Sequence, residues 1–325
     1  MISIVEDSAS TSASTNKFFG SKFVLGIEGK PVTDQDQARP MAVFFHGLNT
    51  FGDDLLHLGP VTMGRMDRYL APAMREQGVH FISVEKVGDG TPESQAEWAI
   101  SWLQKNAPEI RGKEISLIGN SIGGLVARAF AKKLRERPQV LNASIKKIVT
   151  WGTPHRGTIA ADLTEHLAQT FPRLFPHLTS ALSKMDYHVE NKSSTFKAYS
   201  PRALEKFNLA HPIQPETPEI SLLCSVPAAD VSPYFWTLYP HLHGTSFTAL
   251  AKSFATKDRS FSPSDGFVPN GSQAWGEVLG PYRLDHFVQM GFTELLPTKS
   301  RRNFAKLEFQ KLVTDLAQLL DLNRK

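Results

Sequence analysis

Short apolar runs alternate with helical patterns along the first half of the chain. The runs read "KFVLGIE", "MAVFFHG", "VHFISVEK", "EISLIG" and "IKKIVTWGTP". The stretches between them predict helices over residues 59–77, 93–106 and 122–134, and the second of these carries apolar residues at helical spacing. Because continuous apolar strands are typical of parallel sheets, the pattern predicts a mostly parallel central sheet with helices on both faces.

The alternation breaks in two places in the second half. Residues 158–217 are helical and loopy, with several prolines, and "EISLLCSV" then resumes the strand pattern. Residues 227–262 are irregular and rich in aromatic side chains. A final amphipathic helix is predicted over residues 302–322.

We therefore expect one α/β domain over residues 21–325 behind a flexible polar tail, residues 1–20. Both irregular stretches fall on the side of the sheet where the strands end. Long insertions of this kind often form lids or binding segments.

Composition and charge narrow the class of protein. Of the 325 residues, 41% are apolar, which is enough for a sizeable core. The net charge of +4 is spread along the chain, so we expect no nucleic-acid partner. The single cysteine, Cys224, excludes an internal disulfide, and zinc-binding spacings are absent, so neither a metal nor a cofactor is predicted. The oligomeric state stays open.

The first residues and the longest uncharged stretch bear on location. The start of the chain has no basic segment followed by an apolar one, as a secretory signal has. The stretch from Val231 to Ala251 holds prolines, histidines and hydroxyl residues, so no transmembrane segment is predicted. We expect a cytoplasmic protein, with export by another route left open.

The segment "LIGNSIGG" carries the strongest chemical signal. Gly119, Ser121 and Gly123 form G-x-S-x-G between a predicted strand and a predicted helix. Glycines two residues to either side leave room for a sharp bend that exposes the serine hydroxyl. We interpret Ser121 as a nucleophile rather than a structural turn residue.

A nucleophilic serine needs a histidine base and an acid that orients it. In this architecture the acid and then the histidine follow the serine along the chain. Asp265, in the turn "SPSDGFVP", is the preferred acid, and Asp230 is the reserve. His286 is the one histidine that follows Asp265. The other acids considered are Asp258, Glu277 and Asp285.

Two backbone N–H groups are needed to stabilise the oxyanion of the tetrahedral intermediate. One is predicted to belong to Ile122, which follows the nucleophile. The other is predicted in "HGLN" after the strand "MAVFF", where His46 and Gly47 shape the turn and Leu48 presents its N–H.

Taken in order, the motifs resemble those of α/β-hydrolase lipases, over about residues 40–295. They are most similar to bacterial triacylglycerol lipases and more distantly to GPI inositol-deacylase lipases. The motifs that carry the resemblance are "FFHGL", "GNSIGG", "WGTPHRGT", "YSPRALEKFN", "SDGFVPNGSQAWG" and "DHFVQ".

The resemblance implies an α/β-hydrolase fold with a helical lid over residues 158–217. It matches Ser121, Asp265 and His286 to the nucleophile, acid and base, and Leu48 and Ile122 to the oxyanion donors. Secreted members bind calcium through an aspartate two residues after the catalytic histidine, but Val288 stands there in this chain, so no structural calcium is expected.

The expected activity is hydrolysis of carboxylic esters of lipidic or other acyl groups. Transient contact of the lid with a lipid surface is a further expectation. An intracellular acyltransferase or thioesterase would use the same three residues, and a non-catalytic binding protein on the same scaffold is the remaining alternative. The sequence does not separate a lipase from an acyltransferase.

Overall fold

Six parallel strands form the central sheet of the protein. The structure, a computed structural model, describes residues 40–47, 56–58, 61–63, 67–84, 90–158, 198–227, 230, 264–293 and 296–320. All of these residues belong to one compact unit that spans residues 39–325.

The strands and helices of the described residues follow the predicted alternation through most of the chain. The strands are β1 (Met41–Phe45), β2 (Leu56–Leu58), β3 (Val61–Met63), β4 (His80–Ser83), β5 (Glu114–Asn120), β6 (Ser144–Trp151), β7 (Glu219–Cys224) and β8 (Glu277–Tyr282). The helices are α1 (Asp67–Glu76), α2 (Pro92–Asn106), α3 (Gly123–Glu136), α4 (Pro201–Ala210), α5 (Asn270–Gln273) and α6 (Lys299–Leu320). Short 3₁₀ turns lie at Pro108–Ile110, Pro138–Val140 and Val288–Met290.

The sheet has the strand order β4-β1-β5-β6-β7-β8, and all its pairings are parallel. Every residue of β1 is buried, because side chains from both of its faces enter the core. Val43 and Phe45 join the apolar cluster that α2 and α3 complete, whereas Phe44 stacks on Trp151 at 5.9 Å between ring centroids. The predicted parallel α/β architecture is confirmed.

Helix starts follow local capping chemistry. Thr91 caps α2 through a hydrogen bond from the Ser94 N–H to its hydroxyl, and Pro92 takes the first helical position, where an N–H is not needed. Ser200 and Pro201 repeat this arrangement at the start of α4. The helix α4 thus lies within the predicted lid insertion, just before the chain returns to the sheet as β7.

Two predictions about single elements are wrong. The helix expected over residues 59–77 is only α1, and β3 pairs with β2 as an antiparallel hairpin before it. Val61 and Thr62 are β-branched, which favours extended backbone there. The strand β8 has no counterpart in the sequence prediction, because as an edge strand it is mostly exposed and lacks an apolar run.

Several predicted segments lie outside the described residues. They are the tail (1–20), the first strand "KFVLGIE", residues 159–197 of the predicted lid, and nearly all of the second insertion. In the described part of the chain, none of the helices combines the length and the apolar character needed to cross a membrane.

Candidate active site

The serine of the G-x-S-x-G motif sits at the corner between β5 and α3. Ser121 has a φ of +52°, in the left-handed region that side chains disfavour, and such strain typically costs about 1–3 kcal/mol. The two flanking glycines permit close packing: a Cβ on Gly119 would overlap the backbone of Gly124, and one on Gly123 would overlap the carbonyl oxygen of Phe45. The motif therefore makes a strained turn that fits tightly against β1.

The structure brings Ser121, His286 and Asp265 together, although 165 positions separate Ser121 from His286 in sequence. The Ser121 Oγ lies 3.0 Å from the His286 Nε2, and the His286 Nδ1 lies 2.7 Å from the Asp265 Oδ2. The backbone N–H of His286 also donates to the carbonyl oxygen of Asp265, at 2.7 Å. The loop before α6 thus reaches the carboxyl end of β5.

The Asp265 carboxylate is fully buried and surrounded by donors. Its Oδ1 accepts the backbone N–H groups of Phe267, at 2.9 Å, and Val268, at 2.6 Å. Its Oδ2 accepts from His286 and from the side-chain amide of Gln289, each at 2.7 Å. The four donors thus occupy both oxygens of the carboxylate and fix its orientation.

These contacts assign the tautomer of His286. Because the Asp265 Oδ2 accepts, the proton of the neutral imidazole lies on Nδ1, and the lone pair of Nε2 faces the hydroxyl of Ser121. The ring of Phe267 lies 5.0 Å from the imidazole, between centroids, and gives it an apolar neighbour. The arrangement can take a proton from the serine hydroxyl.

Of the two predicted oxyanion donors, one is described. Ile122 begins the turn into α3, and its backbone N–H meets no acceptor among the described residues. Leu48 lies outside the described residues, but the loop that leads to it packs on the elbow, since a Cβ on Gly47 would come within 2.9 Å of the Ser121 Cβ. His46 is buried at the end of β1, with its Nε2 2.7 Å from the Ser83 Oγ.

Among the described residues, the reserve acid Asp230 and the acids Asp285 and Glu277 do not contact the imidazole. Asp230 pairs with Arg283 at 2.9 Å and with Arg301 at 3.5 Å. Asp285 caps the turn after it, through its Oδ1 and the backbone N–H of Val288. Glu277 lies exposed on β8, and Asp258 falls outside the described residues.

The "GTPHRGT" motif holds the turn that carries Asp265. The guanidinium of Arg156 donates to the carbonyl oxygen of Gly271 at 2.8 Å, and the Thr158 hydroxyl donates to that of Phe267, also at 2.8 Å. The Ser272 hydroxyl returns a 2.6 Å hydrogen bond to the carbonyl oxygen of Gly157. The loop after β6 and the loop after β7 are thereby joined behind the acid.

The guanidinium of Arg128 is a buried cation next to these two loops. Arg128 of α3 forms a 3.4 Å ion pair with Glu219 and lies 3.8 Å from the centroid of the Trp275 ring. Burial lowers the pKa of Arg128 to about 10 and raises the pKa of Glu219 above its ordinary value. Burial, together with the charge of Arg128, lowers the pKa of His155 well below 6.5, so His155 is neutral.

Sequence reasoning missed two side chains beside the three predicted residues. Gln289 donates to Asp265, and Asn120 donates to Gln289 at 3.3 Å. The available signal was position alone: Asn120 precedes the nucleophile and Gln289 follows the histidine by one turn. Among the described residues, no group of three or more His, Cys, Asp or Glu side chains could hold a metal ion.

Comparisons with known proteins agree with this fold. Residues 90–198, about a third of the chain, match the model of the PGAP1-like alpha/beta domain family. No curated protein matches the chain.

Solved structures extend the likeness to most of the chain. The mature Bacillus licheniformis lipase BlEst2 has 17% identity and a TM-score of 0.55, over 90% of this chain and 96% of its own. The Staphylococcus hyicus lipase has 12% identity and a TM-score of 0.55, over 91% and 100%. The metagenomic carboxyl esterase MGS0156 has 15% identity and a TM-score of 0.56, over 92% and 81%. The chain therefore shares the α/β fold of these solved structures over most of its length, which confirms the predicted fold.

Proposed function

We propose that the protein is a serine hydrolase that cleaves carboxylic esters through an acyl-enzyme intermediate. The observation that carries the proposal is the unbroken contact from the Ser121 Oγ to the His286 Nε2, and from the His286 Nδ1 to the Asp265 Oδ2. A nucleophile, a base and an orienting acid in this relation are what acyl transfer requires.

In the first step, His286 takes the proton of the Ser121 hydroxyl as the Oγ attacks the ester carbonyl carbon. The carbonyl oxygen becomes an oxyanion, which the N–H of Ile122 stabilises, with the N–H of Leu48 proposed as the second donor. The imidazolium is stabilised by Asp265 and then gives its proton to the departing alcohol. The acyl group remains on the serine.

In the second step, a water molecule gives a proton to the same imidazole and attacks the acyl carbonyl carbon. Collapse of this second tetrahedral intermediate releases the carboxylic acid and returns the proton to the Ser121 Oγ. Deacylation therefore uses the same three side chains and the same oxyanion donors, with water in place of the serine hydroxyl.

The motifs and the structural comparisons are the support for an ester as the substrate. The similar solved structures are described as lipases or a carboxyl esterase, and this chain shares their fold over most of its length. We propose esters of lipidic acyl groups as the substrate class, since the sequence resembles lipases beyond the elbow.

The test is hydrolysis of p-nitrophenyl esters by the purified protein, in a series from acetyl to palmitoyl. Ser121→Ala should lower kcat by about 10⁶-fold, the loss recorded for a serine protease nucleophile. Ser116→Ala is the matched control, since Ser116 is a buried serine of β5, the strand that ends directly before Ser121. An undiminished rate in Ser121→Ala contradicts the proposed function, and activity confined to acetyl esters contradicts the lipidic substrate.

A further inference from the structure

The side-chain amide of Gln289 lies against the carboxylate that orients the base. Gln289 is fully buried in the 3₁₀ turn Val288–Met290. Its Nε2 lies 2.7 Å from the Asp265 Oδ2 and 3.3 Å from the His286 Nδ1. The amide therefore occupies the second donor position at the same oxygen that accepts from the imidazole.

A backbone carbonyl fixes which way this amide points. The carbonyl oxygen of Trp151 can only accept, so the Asn120 side chain must present its Nδ2 there, at 3.3 Å. The same Nδ2 then donates to the Gln289 Oε1, at 3.3 Å. With its oxygen facing Asn120, Gln289 must present its Nε2 to Asp265. The orientation of the Asn120 amide therefore fixes the orientation of the Gln289 amide.

The backbone around Gln289 is shaped to receive its side chain. A Cβ on Gly152 would overlap the Gln289 Oε1, and Gly152 has a φ of +57°. The indole N–H of Trp151 donates to the carbonyl oxygen of Gln289 at 3.3 Å, and the Gln289 N–H donates to that of Asp285 at 2.9 Å. The "WG" pair at the end of β6 thus holds the glutamine from two sides.

We propose that Gln289 is a positioning residue for the acid of the active site. Its amide holds the Asp265 Oδ2 in line with the His286 Nδ1, and Asn120 sets the direction of that amide. Without the amide, one lone pair of a fully buried carboxylate oxygen has no donor, and the position of the Oδ2 is then set by fewer contacts. This inference rests on the proposed function, because it assigns a role within that site.

The first test replaces Gln289 by methionine, which keeps the length of the side chain and removes the donor. Loss of a hydrogen bond to a charged group predicts a kcat about 10- to 100-fold lower. KM should stay within about twofold, because the amide acts on the acid and not on the ester. Gln289→Glu keeps the shape of the side chain and replaces the donor by an oxygen, so it should lower kcat at least as much. It is the variant to measure if Gln289→Met does not fold.

Gln95→Met is the matched control. Gln95 is buried to the same degree, and its Nε2 donates to the Gly90 carbonyl oxygen and the Tyr199 hydroxyl, each at 3.0 Å. The control should lose a comparable amount of thermal stability and keep kcat within about twofold. Equal losses of kcat in the two methionine variants would mean that Gln289 matters only as a buried polar side chain.

A spectroscopic readout separates this inference from the proposed function. The low-field proton NMR resonance of the His286 Nδ1–H reports its hydrogen bond to Asp265 whether or not any ester is hydrolysed. It should shift in Gln289→Met and stay in place in Gln95→Met. If the wild type hydrolyses no ester but the resonance shifts, the proposed function fails and the positioning role stands. An unchanged resonance together with an unchanged kcat overturns the role of Gln289.

Asn120 provides a second, coupled test. If Asn120 acts by directing Gln289, Asn120→Ala should cost little further kcat in a protein that already carries Gln289→Met. Additive losses of kcat in the double variant would contradict the assignment of Asn120.

Discussion

Replacing Asp265 by asparagine should disable the base while leaving the fold in place. The carboxylate accepts from four donors, and two of them are the backbone N–H groups of Phe267 and Val268. Those two groups cannot turn away, so the oxygen of the new amide must keep facing them. Its NH₂ group then takes the place of the Oδ2, next to His286 and Gln289.

Two donors would then face each other at the imidazole. His286 can resolve the conflict only by moving its proton from Nδ1 to Nε2, so that it presents an N–H instead of a lone pair to the Ser121 Oγ. In that tautomer it cannot take the serine proton. The corresponding change in a serine protease costs about 10⁴ in kcat, and we expect a loss of that order.

The assay compares kcat and KM for p-nitrophenyl butyrate between the wild type and Asp265→Asn, with thermal unfolding as the check on the fold. Asp230→Asn is the control, because Asp230 pairs with arginines and not with the histidine. If Asp265→Asn keeps more than about a tenth of kcat, the tautomer explanation is wrong, since the wrong tautomer predicts a loss of about 10⁴. A loss of equal size in Asp230→Asn would refute it as well.

Two further predictions concern stability. Arg128→Met should lower the free energy of unfolding, measured in urea, by about 3–5 kcal/mol, because it leaves the Glu219 carboxylate buried without its cation. The double variant Arg128→Met, Glu219→Leu should recover part of this loss. If it recovers none, the ion-pair explanation is wrong. Burial lowers the pKa of His155 well below 6.5 and also lowers the pKa of His211, so their contribution to stability is present above pH 6.5 and is lost as the pH falls below it. His155→Gln should flatten this pH dependence, which for one group is at most about 1.4 kcal/mol per pH unit, and an equally steep Tm-against-pH curve in the variant would contradict the assignment.

The sequence predicts those parts of the fold in which burial is strong. The strand β5 is apolar along nearly all of its length, and a Cβ on either glycine of the motif that follows it would overlap neighbouring backbone atoms. Both the strand and the corner were therefore predictable. The edge strand β8 is mostly exposed, so no apolar run marks it, and the short strand β3 falls within the stretch that was predicted as a helix.

The residues of the candidate site also differ in how far the sequence predicts them. Ser121, His286 and Asp265 follow from chain order and turn chemistry, and the structure brings these three together. Chain order alone left Asp230 open as a reserve acid, because its partners are side chains far away in sequence. The contact between Asn120 and Gln289 spans 169 positions, and an amide that meets another amide leaves no local pattern in a sequence.

The most direct test of the account is covalent labelling of the nucleophile. A fluorophosphonate reacts with a serine hydroxyl only when a base activates it, so the labelled protein is digested and the modified residue is identified by mass spectrometry. We expect one adduct, on Ser121, which is absent in Ser121→Ala and forms far more slowly in Asp265→Asn. An unmodified Ser121 in folded wild-type protein, or an adduct on another residue that persists in Ser121→Ala, would contradict it.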